Sequence, residues 1–446
     1  MGAATGERTR RSAHRTPGPS RRQRSNDQDG PPPPRPAGAP AATTLHSISR
    51  TGRVGPALRQ LVLVEAALAV AVVGAALGGA WMIPAGVIAC LLVLLALVRR
   101  RGRAVQDWLS TVSSLRHRRR AAEAPSSETE PQLAPVTENV PGFAPYIYVD
   151  GARRTVGMVG DGTFLTAVVR VEASGESLRQ AMGARSLPLS LLGDALTVDD
   201  IVLESAQLVQ QVRPAPAPHL PERSVARLSY GPLQDRTGAP ALRMTWVAVK
   251  LNPELCREAV EARGGGMGGA QRCLVRVADH VASRITGAGF RAAVLDQDEL
   301  NSAVATSACA SPILSARAGR PDAAPQRRTS ETTRVWRCDD RWHTTYAVDR
   351  WPELGRGATP LPRLVALLTS VPAYATTFSL TVRRGAHQGH VSVRGHVRIT
   401  GGSDTELVGV RRTLEQAARH AEVGLVRLDR EQLPGALATL PLGGAQ

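Results

Sequence analysis

Residues 61–98 read LVLVEAALAVAVVGAALGGAWMIPAGVIACLLVLLALV, a long run with one charged side chain, Glu65. A helix crossing a hydrocarbon core of about 30 Å needs roughly 20 apolar residues at about 1.5 Å each. One straight helix of this length overshoots, and the sequence offers a break at Gly78-Gly79-Ala80-Trp81-Met82-Ile83-Pro84. Two glycines loosen the helix, Trp81 suits an interface, and Pro84 fits the first turn of a new helix. The reading is a two-helix transmembrane hairpin over residues 56–100, with helices at about 58–77 and 81–98.

The flanks orient it. Arg50, Arg53 and Arg59 precede or open the first helix, Arg99, Arg100, Arg101 and Arg103 follow the second, and the connection is uncharged. This juxtamembrane collar predicts an inner (plasma) membrane protein with both termini and the main domain cytoplasmic. Gly74 and Gly78 form a GxxxG pattern beside Ala67, Ala71 and Ala75, a small-residue surface for packing against other helices.

Upstream, residues 1–55 are rich in Arg, Pro, Gly and Ser and nearly lack large apolar groups, so they are expected to be disordered. Downstream, residues 101–140 form a basic juxtamembrane segment. Val105, Trp108, Leu109, Val112 and Leu115 recur at three- and four-residue intervals, predicting a short amphipathic helix to about Arg116 and then a linker.

The net charge of +17 is concentrated in these flanks. Ten Arg against Glu7, Asp27 and Asp29 in 1–53, and eight Arg against Asp107 in 99–120, give +7 each; Arg59 cancels Glu65, leaving +3 beyond residue 120. The excess suits anionic lipid head groups, and no nucleic-acid partner is expected. Lys250 is the only lysine among 55 basic residues, a bias that points to a GC-rich genome of the actinobacterial kind. Cys90, Cys256, Cys273, Cys309 and Cys338 form no CxxC pair, which fits a reducing cytosol.

The remainder reads as an α/β region with a mixed sheet, 141–310 and 331–446, around a loop at 311–330. Hairpins, a short helix, two strands, a helix, a strand and a final helix follow in the first part and again in the second. Leu295, Asp296, Leu300 and Ala303 match Leu428, Asp429, Leu433 and Ala436 at an offset of 133, and Leu274, Val275, Val277 and Val281 match Leu407, Val408, Val410 and Leu414. Phe164 and Thr166 are set against Trp342 and Thr344. The expectation is a duplicated β-β-α-β-β-α-β-α module.

Chemistry is sparse. Arg263-Gly264-Gly265-Gly266-Met267-Gly268-Gly269 precedes a helix but lacks the Lys-Ser/Thr of a P-loop, and reads as a loop feeding that helix. Asp296-Gln297-Asp298 has the DxD form with which nucleotide-sugar transferases hold a divalent metal; capping a helix explains Asp296, and Asp429 in the repeat, and is the preferred reading over metal binding. His387, His390 and His396 have no carboxylate or cysteine at ligand spacing. HExxH and GxSxG are absent, so no catalytic residue, cofactor or metal is expected.

The layout from about residue 55 onward, with Gln207 to Pro218 (QLVQQVRPAPAP), Met244 to Leu251 (MTWVAVKL) and Ala262 to Met267 (ARGGGM), resembles EccE, the membrane component of actinobacterial type VII (ESX) secretion systems, in its streptomycete form. That resemblance implies a non-enzymatic scaffold subunit with a glycosyltransferase-like fold. It also implies EccB, EccC and EccD as partners and export of WXG100-type proteins. The alternative is a membrane-tethered nucleotide-sugar glycosyltransferase with Asp296 and Asp298 on its metal. A third class, a lipid- or nucleic-acid-binding protein acting through the arginine collar, is disfavoured by the near-neutral body.

Overall fold

In the computed structural model the described residues are 56–444, apart from 98, 101–102, 123–129, 174–185, most of 215–241, 321, 323–325, 353–359 and 386–389. They fall in one compact unit, 43–446. The expected tail at 1–55, with Arg50 and Arg53, lies outside the described residues, as do Arg101 and His387.

The break in the apolar run falls where the glycines put it. Helix α1 spans Pro56–Leu77 and α2 Met82–Leu97, joined through a 3₁₀ turn at Gly79–Trp81. Gly78 and Gly79 take φ of +62° and +60°, a conformation that costs glycine little. Among the described residues, however, no helix is long and apolar enough to cross a membrane. The expected transmembrane hairpin, and the multi-pass topology with it, is therefore corrected to a helical hairpin. The break leaves α2 16 residues, about 24 Å at 1.5 Å per residue against a core of about 30 Å. In α1 the apolar run begins only at Leu61, after Arg59 and Gln60, and carries Glu65. A two-residue pairing of 99–100 with 103–104 then leads into α3, Val105–Ala121, which extends past the expected end at Arg116.

The body is built on one large antiparallel sheet. Its strands are β1 Ala144–Val149, β2 Thr155–Gly160, β3 Leu165–Ala173, β4 Ser205–Arg213, β5 Leu242–Leu251 and β6 Phe290–Val294. They continue with β7 Thr329–Glu331, β8 Trp336–Cys338, β9 Arg341–Arg350, β10 Ala375–Arg384, β11 Val391–Gly401 and β12 Gly424–Arg427. The order is β7-β8-β9-β11-β10-β4-β5-β3-β2-β1, with β6 added on β3 and β12 on β9. Every described ladder is antiparallel. This corrects the expected mixed sheet and gives no support to a glycosyltransferase-like arrangement.

The ladder is symmetric about its middle. Strands β4 and β10 pair with Ser379 opposite Val209, Thr376 opposite Val212 and Val382 opposite Ala206, so the pairing maps onto itself when Val209 and Ser379 are exchanged. From that axis outward, β5 answers β11, β3 answers β9, β2 answers β8, and β6 answers β12. The registers equate Lys250 with Thr400 and Leu165 with Trp342. They therefore equate Thr166 with His343, one residue off the expected match to Thr344. A one-residue slip in a strand reverses every side chain, and Phe164 and Trp342 lie on opposite faces accordingly.

Helices cover both faces. Against one pack α4 Gly266–Gly287, α6 Leu361–Thr369 and α7 Asp404–His420, with the short helices Ser190–Asp194 and Arg257–Ala262. Leu274, Val277, Val281 and Ile285 of α4 are buried, and so are Leu407, Val410, Leu414 and Ala418 of α7 at the same spacing; Val408 is exposed, unlike Val275. Against the other face pack α5 Gln297–Ser307 and α8 Gln432–Leu437. The chain end follows α8 across this face. Gly443 and Gly444 donate N–H bonds to Gln207 Oε1, and Thr166 Oγ1 donates to the Leu442 carbonyl.

The expected loop at 311–330 holds a helix, Pro312–Ala318, and opens β7. Its start signal was in the sequence: Ser311 accepts a hydrogen bond from Leu314 N–H, and Pro312 occupies the first turn.

Candidate functional site

Strand β7 is three residues long and terminates the sheet, so its outer edge needs cover. The chain between α3 and β1 supplies it. Glu138 Oε1 accepts from Arg328 N–H at 2.8 Å, while Glu138 Oε2 accepts from Thr329 N–H at 2.9 Å and Thr329 Oγ1 at 2.7 Å. Arg327 Nη2 donates to the Glu138 carbonyl and to Asn139 Oδ1, both at 2.9 Å. One carboxylate thus replaces the strand partner that the edge lacks.

Beneath this strap lies a buried ion pair. Arg328 Nε and Nη2 donate to the two oxygens of Asp339 at 2.8 and 2.7 Å, with side chains 7% and 0% exposed. Arg328 also donates to the Pro131 carbonyl at 2.6 Å and Ser315 Oγ at 2.9 Å, and Ser311 N–H donates to Asp339 Oδ2 at 2.7 Å. Burial works to lower the Arg328 pKa, yet the Asp339 hydrogen bond and charge hold it above its ordinary value. A buried pair is tolerable when the remaining donors and acceptors are satisfied, and here several are.

Helix α3 reaches the same edge. Arg118 Nε and Nη2 donate to Glu331 Oε2 and Oε1 at 2.8 and 3.0 Å, and Nη2 also to the Arg430 carbonyl at 2.7 Å. Glu331, its side chain 5% exposed, further accepts from Leu433 N–H in the first turn of α8 at 3.0 Å. Arg119 Nε donates to the Glu331 carbonyl at 3.2 Å. A fork-on-fork arginine–carboxylate contact fixes orientation as well as distance. Helical segment, edge strand and α8 therefore meet on one glutamate. The arrangement is mechanical: it sets where the helical segment stands relative to the sheet.

The residues singled out from the sequence lie elsewhere. Asp296 is the N-cap of α5 in a complete capping box, accepting from Glu299 N–H at 2.9 Å; Asp298 is exposed in the first turn. Asp429 is not a cap. It accepts Arg427 Nε and Nη2 at 2.5 and 3.0 Å. Among the described residues no group of three or more His, Cys, Asp and Glu is placed to hold a metal.

Gly264, Gly265 and Gly266 take φ of +93°, +67° and +57°, turning the chain from Arg257–Ala262 into α4. Gly264 N–H donates to the Glu261 carbonyl and Gly265 N–H to the Val260 carbonyl, so these donors are spent internally. The Arg272 guanidinium lies over Gly264 and the Glu261 carboxylate over Gly265. His390 is exposed beside the β10–β11 connection; His396 lies on β11, and burial pushes its pKa down to about 4. A Cβ on Gly74 would fall 2.2 Å from the Ala85 Cβ, so Gly74 serves the crossing of α1 and α2 within the chain, and Gly78 serves the turn. Arg59 lies in α1, while Arg99, Arg100 and Arg103 lie in the short pairing before α3.

The joint residues Arg118, Glu138, Arg328, Glu331 and Asp339 were not singled out from the sequence. Each arginine is one among dozens, and no local spacing links residue 118 to residue 331. Residues 239–348, from the approach to β5 through most of β9, match a protein-family model described as "EccE: Putative type VII ESX secretion system translocon, EccE". The segment is about a quarter of the chain and holds the body side of the joint, Arg328, Glu331 and Asp339. A comparison with curated proteins finds no match. The family read from the sequence thus stands on residues 239–348, where the chain is similar to EccE, a translocon component of type VII ESX secretion.

Proposed function

We propose that the chain is a membrane-associated structural subunit of a type VII protein secretion complex at the actinobacterial plasma membrane. In this reading its partners are EccB, EccC and EccD, its α/β body stands on the cytoplasmic side, and it supports export of WXG100-type proteins without catalysing a reaction. The observation that carries the reading is the family match together with the joint inside and beside it. A subunit that positions others needs a fixed relation between its anchoring segment and its body, and Glu331 supplies one. Two further features are consistent with it. Helices α1 and α2 expose Leu68, Val72, Leu77, Ile83, Val87 and Leu91, an apolar surface beyond what a solvated helix carries. Asp296, the residue on which a metal-dependent transferase would rest, is engaged by its own helix.

The test is copurification of the tagged full-length protein from native membranes in mild detergent. EccB, EccC and EccD should come with it; recovery of the chain alone overturns the reading. Asp296→Asn combined with Asp298→Asn should leave both assembly and secretion intact. Loss of secretion from an intact complex, with measurable divalent-metal binding, would instead favour the transferase.

A further inference from the structure

The sheet face beneath α5 and α8 differs between the two halves. The symmetric registers place Ala248 where the second half has Arg398, Val168 where it has Thr345, and Thr166 where it has His343. All six are buried. The architecture thus fills this position with a methyl group on one side of its axis and a guanidinium on the other. Packing alone does not require the cation.

Arg398 is fully buried. Its Nη2 donates to the Ser307 carbonyl at the C-terminal end of α5 and reaches Thr377 Oγ1 at 3.4 Å. Among the described residues its Nε and Nη1 meet no acceptor, nor does His343 Nε2, nor Trp336 Nε1. The Trp336 and His343 rings are 4.8 Å apart, and His343 Nδ1 lies 3.0 Å from Thr400 Oγ1, so with the hydroxyl donating, Nε2 carries the proton. Gln211 Nε2 donates to the same Ser307 carbonyl at 3.2 Å and Cys309 Sγ lies 3.9 Å from Thr400 Oγ1, closing the floor with neutral groups. No carboxylate pairs with Arg398 among the described residues.

A guanidinium keeps its proton in a protein interior. An uncompensated buried cation is strongly unfavourable, and a helix C-terminus offers about half a unit of negative charge. We propose that Arg398 is the centre of a buried binding site for a small monovalent anion of the halide class, with the ring N–H groups of His343 and Trp336 as its further donors. Gln211 Oε1 and Thr345 Oγ1 beside it are also unpartnered, but the four unpartnered nitrogens of Arg398, His343 and Trp336 outnumber them, which favours an anion over a metal cation. The site is independent of the secretion reading.

Thermal unfolding of the purified full-length chain, with chloride or bromide replacing gluconate at constant ionic strength, tests it. The wild type should gain about 2–4 °C, as expected for a ligand that binds only the folded state, and Arg398→Met should gain nothing. Bromide-soaked wild-type crystals should show an anomalous peak within about 3.5 Å of Arg398 Nε or Nη1, the reach of a hydrogen bond. An equal halide response in both proteins, or a bromide map with no peak at Arg398, overturns the proposal. If Arg398→Met does not fold, the wild-type bromide map decides alone.

Discussion

Replacing Glu331 with Gln removes the charge on which the joint converges while keeping its shape. In the wild type the carboxylate takes two hydrogen bonds from Arg118 and one from Leu433 N–H, with 5% of its side chain exposed against 24% for Arg118. Net hydrogen bonds to charged groups are worth about 1.5–3 kcal/mol. With the arginine about a quarter exposed, solvent screening puts the pair near the lower end, and the amide oxygen can still serve Leu433. Glu331→Gln should therefore cost about 2 kcal/mol, Arg118→Met about 1.5, and the double variant little more than the larger single, a coupling energy of about 1–1.5 kcal/mol. Denaturant unfolding followed by tryptophan fluorescence gives the cycle, provided the slope is unchanged. Trypsin gives an independent readout: cleavage after Arg116, Arg119 and Arg120 should accelerate in Glu331→Gln under conditions where the body stays folded. A coupling energy below about 0.5 kcal/mol, the range of an ordinary surface pair, with unchanged cleavage, would refute the idea that this contact holds α3 to the sheet.

Asp339→Asn should cost about 3 kcal/mol in unfolding free energy, because it removes the carboxylate paired with the buried Arg328 guanidinium and leaves Glu138 as the nearby negative charge; a loss under 1 kcal/mol would mean that the pair is solvated. Gly157→Ala should destabilise by about 1–3 kcal/mol, since a Cβ there would sit 2.4 Å from the Asp296 carbonyl oxygen, and backbone must move to admit it. Stability should also fall on acidification. His343 and His396 are held below their ordinary pKa chiefly by burial, with Arg398 and Arg394 adding to it, so the unfolded chain binds the extra protons. Their contribution is complete above about pH 6.5 and drains as pH falls, for His396 toward about 4. The melting temperature should decline over that window and flatten in part in His396→Gln; a melting temperature constant from pH 7 to 5 would contradict it.

The sequence by itself determined most of the local structure. Gly78-Gly79 broke the apolar run, Asp296 with Glu299 started α5, and Ser403 with Glu406 started α7, because turns and caps are set by residues within four positions of one another. It also carried the order of elements in both halves and the buried stripes of α4 and α7, since a helix repeats its face every 3.6 residues. Only the tertiary structure decided what depends on partners distant in the chain. The strands could have paired in parallel or antiparallel ladders, and the register that equates Thr166 with His343 rather than Thr344 is fixed by neighbours on β5 and β11. The run at 61–98 looked long enough to span a bilayer twice, until the break left α2 too short for a crossing. The joint was illegible for the same reason: Arg118 and Glu331 are 213 residues apart, and nothing in an arginine's own surroundings says which carboxylate it will meet once the sheet has closed. Local chemistry wrote the elements; the long-range closure of the sheet chose the charges that hold them together.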